Sequence, residues 1–141
     1  MNIDNNCIFC KIIKKEVFAA VLYEDRELVA FLDIKPINEG HTLVVPKNHW
    51  KLVEEMDSET YLKMFEIGRR LMGKIKKKLP GITAFNLLIA NGEDAGQEIF
   101  HVHLHIIPRK PADEFGFTFS QNYGKKLSKQ ERINIQQKIL Q

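Results

Sequence analysis

Between Gln97 and Arg109 the chain reads Gln-Glu-Ile-Phe-His-Val-His-Leu-His-Ile-Ile-Pro-Arg, which places three of its five histidines at alternate positions. Successive side chains of an extended strand point to opposite faces. His101, His103 and His105 therefore share one face, while Val102, Leu104 and Ile106 share the other. The stretch calls for a sheet with a core on one side and polar chemistry on the other.

The rest of the pattern supplies that sheet. Phe18 to Glu24 and Glu27 to Asp33 are β-rich runs around Asp25-Arg26 and predict a hairpin. A loop with Pro36, Asn38 and Gly40 leads to a strand over His41 to Pro46, and Thr83 to Ala90 forms another. Between Asp57 and Leu79 the spacing is helical, with Tyr61, Phe65, Gly68, Met72, Ile75 and Leu79 as the expected buried stripe. Asp57 or Ser58 caps its start, Pro80-Gly81 ends it, and four lysines in its last turns suit the negative end of the helix dipole. Ser128-Lys129-Gln130-Glu131 is a capping box that introduces a C-terminal helix carrying Ile133, Ile135, Ile139 and Leu140. Phe115, Phe117 and Phe119 alternate like an extended segment laid over the sheet edge.

Hairpins interrupted by one long helix, rather than βαβ units, predict an α+β fold. The expectation is a five-stranded antiparallel sheet, a long central helix and a shorter helix near each terminus. One domain is expected over 1–141, with 112–141 a C-terminal extension ending in a helix.

At 141 residues, with 44% hydrophobic and 28% charged composition, the chain buries a core without needing disulfides. No apolar run approaches the roughly 18 residues of a membrane span, and the N-terminal stretch lacks a secretory pattern. A cytoplasmic protein that does not engage membranes is expected. Much of the formal charge of +3 sits in Lys74, Lys76, Lys77 and Lys78, too local a cluster for a nucleic-acid polymer. A small anionic ligand fits better.

Imidazoles two residues apart on a strand converge on one small group. Near neutral pH one ring can attack while another donates a proton, which suits displacement at phosphorus through a covalent phosphohistidine. The same His-x-His spacing also suits zinc, so a metallohydrolase is the alternative chemistry. Upstream, Cys7-Ile8-Phe9-Cys10 opens three possibilities: half a zinc site, a dithiol pair, or two buried apolar residues.

The histidine stretch, His101-Val102-His103-Leu104-His105-Ile106-Ile107, resembles the signature of the histidine triad (HIT) family. Cys7 to Ile13, Phe31-Leu32-Asp33-Ile34, Gly40 to Lys47, and Asn91-Gly92 through Gly96-Gln97 resemble the family's other landmarks, in order. The likeness spans nearly the whole chain and is greatest to the Hint-like branch, the purine nucleoside phosphoramidases, in its zinc-carrying microbial form.

The resemblance implies a homodimer with joined sheets and a purine nucleotide in each protomer. His103 would attack the α-phosphorus, His105 would contact the phosphate or leaving group, and His41 and His101 would hold His103 in its tautomer. The base would lie among Ile8, Phe9, Ile12, Phe31 and Ile34, with Asp33 on the ribose and Asn91 and Gln97 on phosphate oxygens. A structural zinc would be held by Cys7, Cys10, His49 and His101. Where the Hint-like pattern carries Ser or Thr, this chain carries Glu98, whose carboxyl donates a proton, repels an anionic leaving group or points elsewhere. A nucleotide-binding or partner-binding module with little turnover is the further alternative.

Overall fold

Asp25 starts the sheet by building its first turn. Its Oδ1 accepts the amides of Glu27 and Leu28, both at 2.8 Å, and its Oδ2 accepts the Tyr23 hydroxyl. This folds β1 (Val21–Glu24) onto β2 (Leu28–Leu32), with an irregularity between Val21 and Tyr23. The computed structural model describes all 141 residues. Its remaining elements are α1 (Ile8–Ile13), β3 (Thr42–Pro46), α2 (Ser58–Lys78), β4 (Ala84–Leu88), β5 (Leu104–Arg109) and α3 (Lys129–Leu140). Two 3-10 turns, at Val53–Glu55 and Glu93–Ala95, punctuate the connections.

The five strands run antiparallel in the order β1-β2-β3-β5-β4, so the fold is α+β as expected. Every residue of β3 is buried because both sheet faces are covered there. On one face Leu28, Ala30, Val44, Val102, Leu104 and Ile106 pack against α2. On the other, Val29, Phe31, Leu43 and Val45 meet Cys7, Phe9 and Cys10 from the N-terminal segment.

Helix α2 is capped by Asp57, whose carboxylate accepts the Thr60 amide and hydroxyl at 2.8 and 2.9 Å. Its buried face is Thr60, Met64, Ile67, Gly68, Leu71 and Ile75. That corrects the expected stripe by roughly one residue around the helix. Tyr61, Phe65, Met72 and Leu79 line the margin of the core, only partly buried. Each nearly enclosed apolar side chain contributes about 1.5–3 kcal/mol. Gly68 permits the close approach, since a Cβ there would sit 3.0 Å from Ile106 and 3.1 Å from Leu104.

Two further expectations are corrected. The histidine stretch is paired as a strand only from Leu104 onward. The His101 amide instead closes a turn on the Ile99 carbonyl, and the Val102 amide donates to Trp50, so neither residue enters the ladder. Side chains still alternate through the unpaired part, with Val102 in the α2 core and His101 buried away from it. Phe115, Phe117 and Phe119 form no strand, and Phe117 and Phe119 are more than half exposed. Phe119 stacks on Tyr123 within the same segment instead of covering the sheet edge. Helix α3 carries the expected capping box and buries no residue.

Candidate active site

Backbone groups set the tautomers of His41 and His103, and through His41 that of His105, because a carbonyl only accepts and an amide N–H only donates. His103 Nδ1 lies 2.7 Å from the His101 carbonyl, so it carries the hydrogen and leaves Nε2 with a free lone pair. His41 Nδ1 accepts the Ile37 amide at 3.1 Å, so the proton sits on Nε2. That Nε2–H donates to His105 Nδ1 at 2.9 Å, which places the His105 proton on its own Nε2. The His103 and His105 rings stand 4.8 Å apart. One presents a bare nitrogen, the other a donor.

Neither Nε2 has a partner within the chain, and neither is sealed from solvent. Burial pushes all four of these histidines down from the ordinary imidazole value, His101 and His105 to about 4. The rings are therefore neutral near pH 7, as the tautomers require. Asp33 supports the set: its Oδ2 lies 3.6 Å from His41 Nε2, while its Oδ1 accepts the Lys35 amide.

The resemblance placed His41 and His101 around His103. The structure places His41 against His105, and it is the His101 main chain, not its ring, that holds His103. The His101 ring turns the other way. Its Nε2–H donates to the Pro46 carbonyl at 2.7 Å, leaving Nδ1 bare and aimed at the sulfurs of Cys7 and Cys10, 3.4 and 3.6 Å distant. His49 Nδ1 lies 3.3 Å from Cys10 Sγ.

These four ligand atoms fall within 4.8 Å of one another, and all four residues are buried. Two cysteine sulfurs and two imidazole nitrogens are a tetrahedral zinc set. The backbone hydrogen bond behind His101 is the support such a ligand has in metal sites. Burial raises the Cys10 thiol to about 11, an environment in which a thiolate needs a compensating cation.

Other expected site residues divide into two groups. Phe9 and Phe31 are buried and pack edge-on 5.6 Å apart, and Phe9 stands 5.1 Å from the His103 ring. Ile8 is exposed, Ile12 half-buried, and Ile34 almost fully exposed. Ile12 also lines a cavity of about 330 Å³ with Ile13, Val17, Phe18, Ala19 and Val29. Asn91 and Gln97 are engaged elsewhere. The Asn91 amide bridges Val53 and Glu54, while Gln97 accepts from Gly92 and donates to the carbonyls of Lys51 and Ile99. Both brace the loop; Gln97 has both side-chain N–H groups engaged, so a phosphate contact from it requires breaking a bond, whereas Asn91 uses one of its two. Glu98 is exposed and has no hydrogen-bond partner.

A model of the HIT domain family matches residues 14–112, well over half of the chain. The chain belongs to the HIT family. A HIT-family crystal structure from Bacillus subtilis superposes with a TM-score of 0.87 at 37% identity over 96% of both chains. A zinc-bound histidine triad protein from Mycobacterium smegmatis gives 0.75 at 34% identity, covering 82% of this chain and 84% of that one. Among named HIT relatives, the adenosine 5'-monophosphoramidase of Schizosaccharomyces pombe is 40% identical over 79% of each protein.

Sequence reasoning missed the Ile37 amide and the Pro46 and Trp50 carbonyls. No residue pattern marks a backbone group. The only available signal was proximity: Pro46 ends one strand and Ile37 lies in the loop ahead of His41.

Proposed function

We propose that the protein is a nucleotide hydrolase or transferase acting on the α-phosphate of nucleoside phosphoramidates or related AMP-type nucleotides, through a covalent phosphohistidine on His103. The observation that carries this reading is the opposed pair of tautomers, a bare His103 Nε2 beside a His105 Nε2–H. The His103 lone pair forms the N–P bond as the bond to the leaving nitrogen breaks. That nitrogen departs with the electron pair, takes a proton from solvent water and leaves as an amine, while His105 hydrogen-bonds a phosphoryl oxygen or the leaving group. Water then attacks phosphorus and gives a proton to solvent as the N–P bond breaks, releasing the nucleoside monophosphate and restoring the lone pair.

The base is read into the apolar ground of Phe9, Phe31 and Ile12 and the adjoining cavity, flanked by exposed Ile8 and Ile34. Asp33 receives the ribose hydroxyls, and Asn91, Gln97 and Glu98 line the route of the phosphate and leaving group. Cys7, Cys10, His49 and His101 are read as a structural zinc site. A metal there would tie the N-terminal segment to the histidine segment. A metallohydrolase built on His101, His103 and His105 fits less well, because the His101 ring turns its free nitrogen toward the thiols of Cys7 and Cys10. The functional unit is read as a homodimer, joined at the β4 edge where Leu87 and Leu88 are exposed; sedimentation at working concentration checks it.

No helix is long and apolar enough to cross a membrane. With adenosine 5'-phosphoramidate the protein should release AMP, and His103→Ala should lose at least about a thousandfold in turnover. Turnover surviving in that variant contradicts the reading. Tight nucleotide binding without turnover across phosphoramidates, acyl-adenylates and dinucleoside polyphosphates would instead favour a binding module.

A further inference from the structure

Asp113, just past the last strand, accepts five hydrogen bonds. They come from Arg109 Nε and Nη2 at 2.7 and 2.8 Å, the Asn38 amide at 2.7 Å, and the main-chain N–H groups of Lys110 and Phe115. Its side chain is only 6% exposed. Arg109 ends β5 two alternations beyond His105, hence on the same face. Its guanidinium is held by Asn86 of β4, the Phe115 carbonyl and the Phe115 ring. The paired charge keeps the Asp113 carboxyl far below the usual range.

What this ion pair grips is the loop that delivers His41. The Asn38 amide spans the Pro108 carbonyl, at 2.8 Å, and Asp113. The Asn38 carbonyl accepts the His41 amide at 3.0 Å, closing a turn in which Gly40 takes a φ of 88°. The residue before Asn38 is Ile37, whose amide fixes the His41 tautomer.

We propose that Asp113 is a positioning residue for the His41–His105 pair, clamping Asn38 with Arg109 so that the Ile37 amide stays on His41 Nδ1. This rests on the reading of His105 as an Nε2–H donor. Released from the amide, His41 also populates its other tautomer, with the hydrogen on Nδ1. Its bare Nε2 then accepts from His105 Nδ1–H, and the His105 Nε2 facing the ligand loses its hydrogen. The donor disappears although both histidines remain. Asp113 falls one residue beyond the segment matched by the HIT family model, so the device uses the C-terminal segment of this chain.

The test uses Asp113→Asn and Asn38→Ala in the full chain with ¹⁵N-labelled histidine. Asn38→Ala cuts the tether while leaving the Arg109–Asp113 pair intact, which guards against a folding defect in the other variant. With adenosine 5'-phosphoramidate, kcat should fall about ten- to hundredfold with KM within about twofold. The ring nitrogens of His41 should pass from a single Nε2–H form to a mixture, while those of His103 stay unchanged. Adding Asp113→Asn to His41→Phe should cost nothing further. An unchanged His41 spectrum in the folded variants, or a full additional loss in the His41→Phe background, overturns the proposal. The nitrogen spectrum reads independently of turnover, and turnover retained by His103→Ala would fault the catalytic reading instead.

Discussion

On one side of His103 stand Cys7, Cys10, His49 and His101, all buried; on the other stand Asp33, His41 and His105, of which only His41 is fully buried. Each cluster gathers its ligand-type atoms within 4.8 Å. They differ in where those atoms point. In the first, the His101 lone pair and both sulfurs turn inward on one another, and His49 Nε2 is the one enclosed side-chain polar atom without a partner. In the second, hydrogen bonds run in sequence from the Ile37 amide through His41 to His105 and end on a nitrogen open to a ligand. The first group closes on itself and the second opens outward. The difference is set by the backbone partners of His101 and His41, a carbonyl behind the first and an amide behind the second.

If the closed cluster is a crosslink, disrupting it should produce the largest loss of stability. Cys10→Ser, or removal of bound metal by a chelator, should lower the melting midpoint by more than about 10 °C, since structural zinc binding is folding free energy. Turnover per folded molecule should change little. Calorimetry and elemental zinc counting on the same samples check both halves. A loss of turnover with the fold intact would erase the contrast between the clusters.

Breaking the relay should have the opposite signature. His41→Phe should reduce kcat about a hundredfold, the scale of positioned acid–base assistance, while zinc content is unchanged. Steady-state kinetics beside metal analysis separates the two. Gly40→Ala acts through the turn that presents His41: a Cβ there would fall 2.7 Å from Leu79 Cδ1 at a positive φ. It should cost about 1–3 kcal/mol in denaturant unfolding and depress kcat in parallel.

The smallest effect is the pH dependence. His105 titrates near 4 in the folded chain against about 6.5 when unfolded, because burial disfavours its charged form. Between those values the unfolded chain binds a proton that the native chain does not. Stability contributed by this group is therefore fully present above about pH 6.5 and falls as the pH drops toward 4. His103, also depressed by burial, keeps its lone pair through neutrality, so kcat/KM should be flat around pH 7 and decline only at an acid limb below 6.5. Unfolding free energies and rate profiles over pH 4 to 8 measure both trends.

The alternation of His101, His103 and His105 with Val102, Leu104 and Ile106 was legible because a period of two has only one reading on a sheet. Where pairing begins was not. The His101 turn on Ile99 and the Val102 bond to Trp50 are main-chain choices that side-chain identity does not encode. In α2 the aromatic bulk of Tyr61 and Phe65 drew the expected stripe toward the margin. The buried face includes Thr60 because Asp57 satisfies its hydroxyl. The zinc-type cluster illustrates the other limit. Two cysteines three apart left three possibilities open, and the HIT resemblance added His49 and His101. Their convergence depends on a loop folding back from the end of β3, a relation no local pattern carries.

The most direct measurement is alkaline-quenched mass spectrometry of the protein during turnover of adenosine 5'-phosphoramidate. A nucleotide adduct mapped to His103 in the wild type, and missing in His103→Ala, is the predicted result. Product accumulating with no adduct, or an adduct carried by another residue, would contradict the assignment of the bare nitrogen as nucleophile.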